Sequence, residues 1–150
     1  MTTVVVSSTP PPVVQVVSSS TSSNPSTVGI SGGAAEAIEP YQWGYGGVLL
    51  PVNGGGDLYL EGPYNLASLR FTLETPSIAG AVVLDLNCNG TSIFASPVQL
   101  AANQTTLAAT SLATKTSFTT GDVLSVDIID PGLSQTAADL TVTLRLKRLF

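Results

Sequence analysis

Leu140-Thr141-Val142-Thr143-Leu144-Arg145-Leu146-Lys147 places an apolar side chain at every second position and a polar one between. Successive side chains of a strand point to opposite sides of a sheet, so this segment has one face for a core and one for water or a partner. The same period recurs upstream. Leu69, Phe71 and Leu73 alternate with Arg70, Thr72 and Glu74. Val82, Leu84, Leu86 and Cys88 alternate with Val83, Asp85 and Asn87, and Leu124, Val126 and Ile128 with Ser125, Asp127 and Ile129. Turn signals separate the runs: Asn53-Gly54-Gly55-Gly56, Glu61-Gly62-Pro63, Asn89-Gly90, Gly121-Asp122 and Asp130-Pro131-Gly132. Asn89-Gly90 is the sharpest and predicts a type I′ hairpin that pairs the preceding strand with Thr91 to Ala95. Short strands at this spacing point to an all-β sandwich or barrel. The best helix candidates, Ala34 to Ile38 and Ala101 to Ala109, lack a 3.6-residue period and are single turns at most.

Composition bounds what such a fold can do. The 150 residues suit one domain with room for an appendage, and are 43% hydrophobic but only 10% charged. An ordinary soluble domain carries about 25% charged residues. Here Ser, Thr, Asn and Gly supply polarity instead. A surface so poor in charge is easiest to understand if neighbours cover much of it. Val83, Ile129 and Ala137 sit on strand faces that would otherwise be wet. They predict self-association, with a trimer as the expected state. The net charge of −5 argues against nucleic-acid binding, which rests on Lys and Arg neutralising phosphates. Three of the five basic residues, Arg145, Lys147 and Arg148, crowd one end of the chain and read as a solvated strand end. No apolar run is long enough to cross a membrane. No basic segment precedes the first valines, so a signal peptide is not expected. The chain is expected to be made in a cytoplasm and to reach the outside only within an assembly.

Two regions differ sharply. Residues 1–33 contain no charge, the first being Glu36. Valine clusters at Val4, Val5 and Val6 and at Val13, Val14, Val16 and Val17 flank Pro10-Pro11-Pro12, which imposes an extended segment. Ser18 to Ser23 read as a flexible spacer. Disordered tails are usually charged and poor in β-branched residues, and bare valine clusters in water invite aggregation. An extended arm that becomes ordered on a neighbour is therefore preferred to a passive tail, with those seven valines as the partner-binding residues. Residues 34–150 carry the alternating runs and form the β-sandwich domain.

Chemistry is scarce. The absence of histidine removes His-based acid–base catalysis, the Ser-His-Asp triad and His metal sites. The single cysteine, Cys88, makes neither an intramolecular disulfide nor a zinc site, and its apolar-phase position reads as a buried thiol. Gly44, Gly46, Gly47 and Gly54 to Gly56 lack the Lys-Ser/Thr that completes a phosphate loop. Glu36 with Glu39, or Asp127 with Asp130, could in principle serve glycoside hydrolysis, and Asp127, Asp130 and Asp139 could meet at calcium. Solvated strand-end acids are the preferred reading of all of them, so neither an enzyme nor a cofactor is expected. Asn89-Gly-Thr91 and Asn103-Gln-Thr105 match the glycosylation sequon, which has no force without a secretory signal. Tyr41, Trp43 and Tyr45 fall on what reads as a glycine-rich loop, Tyr41 to Gly47. They stand either as an interface or loop anchor, or as a glycan contact.

One resemblance extends this reading. AVVLDLNCNGTSIFASPVQLAANQTTL (residues 81–107), FTTGDVLSVDIIDPGL (118–133) and ADLTVTLRL (138–146) together resemble a β-module of tailed-bacteriophage virion proteins. In that module an Asn-Gly-Thr-Ser-Ile-Phe hairpin precedes a Gly-Asp-hydrophobic strand and a final Ala-Asp-Leu-Thr-Val strand. These match Asn89 to Phe94, Gly121 to Leu124 and Ala138 to Val142. The resemblance covers roughly residues 67–148 and implies a jelly-roll-like antiparallel β-sandwich in a structural virion protein. An extended arm on one compact module without a shaft is similar to a capsid decoration (cement) protein, which clamps neighbouring major capsid subunits on the capsid surface. The competing expectation is a receptor- or carbohydrate-binding module of a tail or head fibre, with Tyr41, Trp43 and Tyr45 at its site.

Overall fold

The computed structural model describes Thr2–Val6, Val14–Ser18 and residues 37–150. Within these residues the chain is all-β, with two antiparallel sheets packed face to face. The strands are β1 (Thr2–Val6), β2 (Val14–Ser18), β3 (Ile38–Val48), β4 (Val52–Tyr59), β5 (Tyr64–Thr75), β6 (Val82–Cys88), β7 (Thr91–Ser92), β8 (Val98–Leu100), β9 (Thr106–Ala108), β10 (Ser117–Phe118), β11 (Val123–Asp130) and β12 (Ala138–Arg148). The larger sheet runs β1-β2-β3-β12-β5-β10, with β9 also on β5. The smaller runs β4-β11-β6-β7, with β8 also on β6.

Period-two alternation decides which face each strand buries. Leu140, Val142, Leu144 and Leu146 on β12 are buried, as are Leu69, Phe71 and Leu73 on β5. The smaller sheet answers with Val82, Leu84, Leu86 and Cys88 from β6 and Leu124, Val126 and Ile128 from β11. β12 lies between β3 and β5, and a single register brings Val142 opposite both Trp43 and Phe71. A slip by one residue would turn this whole apolar set to water, so the burial pattern pins the register. The Asn89-Gly90 turn forms as expected, but the strand after it is only Thr91–Ser92 and does not run to Ala95. Asn89 and Gly90 both have positive φ (54° and 80°), and Cys88 pairs with Thr91 across the turn.

Two expectations are corrected. The segment Tyr41–Gly47 is strand, not loop, and occupies most of β3. Its tyrosines and tryptophan alternate with Gln42, Gly44 and Gly46, so the aromatic set is the core face of the strand. Asn53-Gly54-Gly55-Gly56 is no turn either: it lies inside β4, with register irregularities against β11. The reason lies across the sandwich. Trp43 Nε1 donates to the Gly56 carbonyl at 2.6 Å, and the Tyr45 hydroxyl donates to the Gly55 carbonyl at 3.1 Å. A Cβ at Gly55 would lie 2.6 Å from the Tyr45 hydroxyl and 2.8 Å from Val52 Cγ1. The glycines thin β4 so that two large rings of the other sheet can reach its backbone. Residues 101–109, which lack a helical period, form no helix: they make a turn and β9, followed by one 3₁₀ turn at Thr110–Leu112.

This close approach makes a test. Gly55→Val should destabilise the fold by about 2–3 kcal/mol, the cost of overpacking a filled core. Gly44→Val should change stability little, because nothing lies within 4 Å of a Cβ there. Urea melts of the two variants side by side check the contrast. Equal midpoints would show that β4 has room to spare.

Candidate interaction surface

The seven arm valines are placed as follows. Val4, Val5 and Val6 lie on β1, and Val14, Val16 and Val17 on β2; Val13 falls outside the described residues. β1 and β2 pair antiparallel, with Val4 opposite Val16. β2 then pairs with β3 of the same chain, Val16 opposite Trp43 and Val14 opposite Tyr45. The two clusters thus extend the larger sheet of their own chain by two strands. β1 is the last strand of that sheet among the described residues, and its far backbone edge is unpaired there.

Tyr41, Trp43 and Tyr45 are buried in the interlayer core, with Trp43 fully inaccessible. No face of these rings is open to a sugar, so as a glycan contact they are corrected to core residues. The sequence signal was visible in their alternate spacing, but the intervening glycines suggested a loop. Their hydroxyls are also committed. Tyr41 and Tyr64 both donate to Glu39 Oε2, at 2.6 and 2.9 Å, and Arg148 lies 3.7 Å from Glu39 Oε1. Burial, and then the bond to Glu39, pushes the Tyr41 phenol well above its ordinary range. Burial likewise raises Tyr45, followed by the charge of Asp127. The cluster ties the beginnings of β3 and β5 to the end of β12.

The candidate acids are dispersed among structural tasks. Glu36 falls outside the described residues, and Glu39 belongs to the tyrosine cluster. Asp127 accepts from Gly54 N at 2.6 Å and Asn87 Nδ2 at 2.7 Å. Asp130 accepts from Gly132 N at 2.8 Å, and Asp139 from Gly47 N at 2.7 Å. Each clamps a turn or irregularity with a charge-assisted bond. Among the described residues no three His, Cys, Asp or Glu side chains are grouped to hold a metal, and no helix is long and apolar enough to cross a membrane. Cys88 is buried. Desolvation, then the nearby Asp122 charge, raises its thiol.

Asp85 is a carboxylate that sequence reasoning passed over. It sits on the outer face of the smaller sheet, directly opposite Asp127 in register, and is buried. Burial raises its pKa first, and the Asp127 charge adds to that; Ser92, which donates to it at 2.6 Å, and the Leu86 backbone oppose the shift. A raised folded pKa means the ionised form costs stability at neutral pH, and the cost is relieved as pH falls through that pKa. Asp85→Asn, which keeps an oxygen for Ser92, should therefore raise the urea midpoint near pH 7. The gain should shrink toward about pH 4, where ordinary carboxyls protonate. A constant gain across that window would mean ionisation is not its origin.

One end of the sandwich carries a group of exposed apolar side chains. The β3–β4, β5–β6 and β11–β12 connections meet there: Leu49 N bonds the Ala137 carbonyl, Leu133 N the Ala79 carbonyl, and Ile78 N the Thr136 hydroxyl. Val48, Leu50, Ile78, Ile129 and Leu133 are all exposed at this end, Leu133 by 82% and Ile78 by 64%. They are five of the ten exposed large hydrophobics among the described residues; Ile38, Tyr59, Leu149 and Phe150 lie at the other end, where β3 begins and β4 and β12 finish. Val83 is half-buried and Ala137 is buried, so of the three positions expected to be wet only Ile129 is exposed. Acidic residues flank this end: Asp130 follows Ile129 in the chain, and Glu74 and Asp139 line one depression with Gly46 and Leu140. Arg148 and the Lys115–Asp122 pair belong to the opposite end, where Leu60 N bonds the Asp122 carbonyl. No family model, curated protein or solved structure matches this chain.

Proposed function

We propose that this chain is a structural virion protein of a tailed bacteriophage, a capsid decoration protein that clamps neighbouring major capsid subunits. The observation that carries this reading is the apolar, acid-flanked end formed by Val48, Leu50, Ile78, Ile129 and Leu133. Isolated exposed apolar side chains are common, but several on adjoining loops and strand ends mark a contact surface. The flanking acids favour a partner that brings apolar and basic groups, hence a different protein rather than the same end of a second copy.

Strand order supports the jelly-roll reading. β3, β12, β5 and β9/β10 face β4, β11, β6 and β7/β8, so the chain passes repeatedly from one sheet to the other as two interleaved Greek keys do. The unpaired edge of β1 supports a second contact. An uncharged strand of Thr and Val with an open edge can accept a neighbour's strand, since nothing on it blocks pairing. On this reading the arm joins copies, expected as trimers, and the apolar end seats them on the major capsid protein. The function is mechanical. Each clamp buries surface across a joint, and a contact of about 1,600 Å² suffices for specific binding.

The test is stoichiometry and attachment on intact particles. The chain should be present in hundreds of copies per particle, on the order of the number of capsid subunit junctions. Deleting residues 1–33 should leave a β circular-dichroism spectrum but sharply weaken re-binding to stripped particles. A handful of copies per particle would sink the reading in favour of a fibre module. Re-binding as tight as the full chain's would remove the arm from the mechanism.

A further inference from the structure

We propose that the outer face of the larger sheet carries a binding groove for an acidic saccharide between β12 and β5, its carboxylate held by Arg70 and Arg145. The register places Thr143 opposite Arg70 and Arg145 opposite Ser68, so these four residues form a square on one face. Diagonal neighbours in such a square lie roughly 7–8 Å apart, close enough for two guanidinium groups to converge on one oxyanion. Ala108 of β9 and Thr110 of the 3₁₀ turn wall the groove on the far side of β5, and its volume is about 370 Å³. That is within the size of small-molecule sites, about 300–1,000 Å³.

The electrostatics single this groove out. The chain has ten acidic and five basic residues. Lys115 and Arg148 lie against Asp122 and Glu39. Arg70 and Arg145 have no ion-pair partner among the described residues, and no acid lines the groove they share. Two like charges are thus held near each other in an acidic protein with nothing beside them to offset the repulsion. A bound anion would offset it, and the planar guanidinium matches a carboxylate with two parallel hydrogen bonds.

The surroundings select what carries that carboxylate. Gln42 lies opposite Thr143 on β3, and Thr72 lies opposite Thr141. Their hydroxyls and amide continue the face beyond the reach of one small ion, no aromatic ring lines the groove, and its one large aliphatic residue, Leu69, is fully buried. A ligand rich in hydroxyls and bearing one carboxylate satisfies both the arginines and this neutral polar strip. The inference stands on the groove alone and does not depend on where the protein works.

Nuclear magnetic resonance titration of the full chain tests it, with glucuronate as acidic sugar, acetate as bare carboxylate and glucose as neutral sugar. Glucuronate should shift the Nε–H signals of Arg70 and Arg145 and bind at least about tenfold tighter than acetate, a difference of about 1.4 kcal/mol. Glucose should shift neither. Arg70→Gln and Arg145→Gln should each abolish the glucuronate response, while Lys115→Gln, remote from the groove, should leave it intact. Equal binding of acetate and glucuronate would overturn the saccharide assignment. An unresponsive pair of arginines, or a response that survives both substitutions, would overturn the site.

Discussion

Trp43→Ala is expected to lower the stability of this protein by about 3–5 kcal/mol, the range for removing a buried aromatic side chain. Trp43 is fully buried between the sheets. It lies on β3, which joins β2 to β12, and its indole N–H satisfies the Gly56 carbonyl of the opposite sheet. Alanine leaves a cavity as large as the ring and a carbonyl without its donor, and both effects have the same sign. Trp43→Phe separates them: it keeps most of the ring and loses only the hydrogen bond, and should cost about 1–2 kcal/mol. Urea unfolding followed by far-ultraviolet circular dichroism measures both without relying on tryptophan emission. A loss below about 1 kcal/mol for the alanine variant would mean that the ring is not wedged between the sheets.

On the proposed capsid-decoration reading, Ile78→Asp combined with Leu133→Asp should weaken attachment to the particle by about a hundredfold or more, near 3 kcal/mol. The two side chains are the most exposed at the apolar end, on connections joined by the Leu133 N to Ala79 carbonyl bond. Being exposed, they contribute little to folding, so the melting curve should move only slightly. The new carboxylates join Glu74, Asp130 and Asp139 at the same end and would be desolvated in any contact. Ile78→Ser with Leu133→Ser should weaken attachment less, because it removes apolar area without adding charge. Sedimentation of the variants with stripped particles gives the answer. Undiminished co-sedimentation of the aspartate pair would show that this end faces water in the assembly.

The seating of this surface depends on features of unequal legibility in the chain. Alternation alone determined β5, β6, β11 and β12, their inward faces and the hairpin at Asn89-Gly90, because a two-residue period and a paired positive-φ turn are local properties. Cys88 and the Leu140 to Leu146 set were readable as core for the same reason. β3 and β4 were not. Tyr41-Gln-Trp-Gly-Tyr-Gly-Gly47 and Asn53-Gly54-Gly55-Gly56 carry glycines that locally favour loops and turns. Only the facing sheet makes strands of them: the rings of Trp43 and Tyr45 need the thin backbone of β4, and that backbone needs their hydrogen-bond donors. Each segment is explained by the other across the sandwich, and no window of sequence contains both. The same holds for the surfaces. The sequence determined that charge is scarce and that the valine clusters are extended. That Val48, Leu50, Ile78, Ile129 and Leu133 share one end, and that Arg70 and Arg145 share one groove, was decided by strand order, since residues so far apart in the chain become neighbours only when the two sheets close.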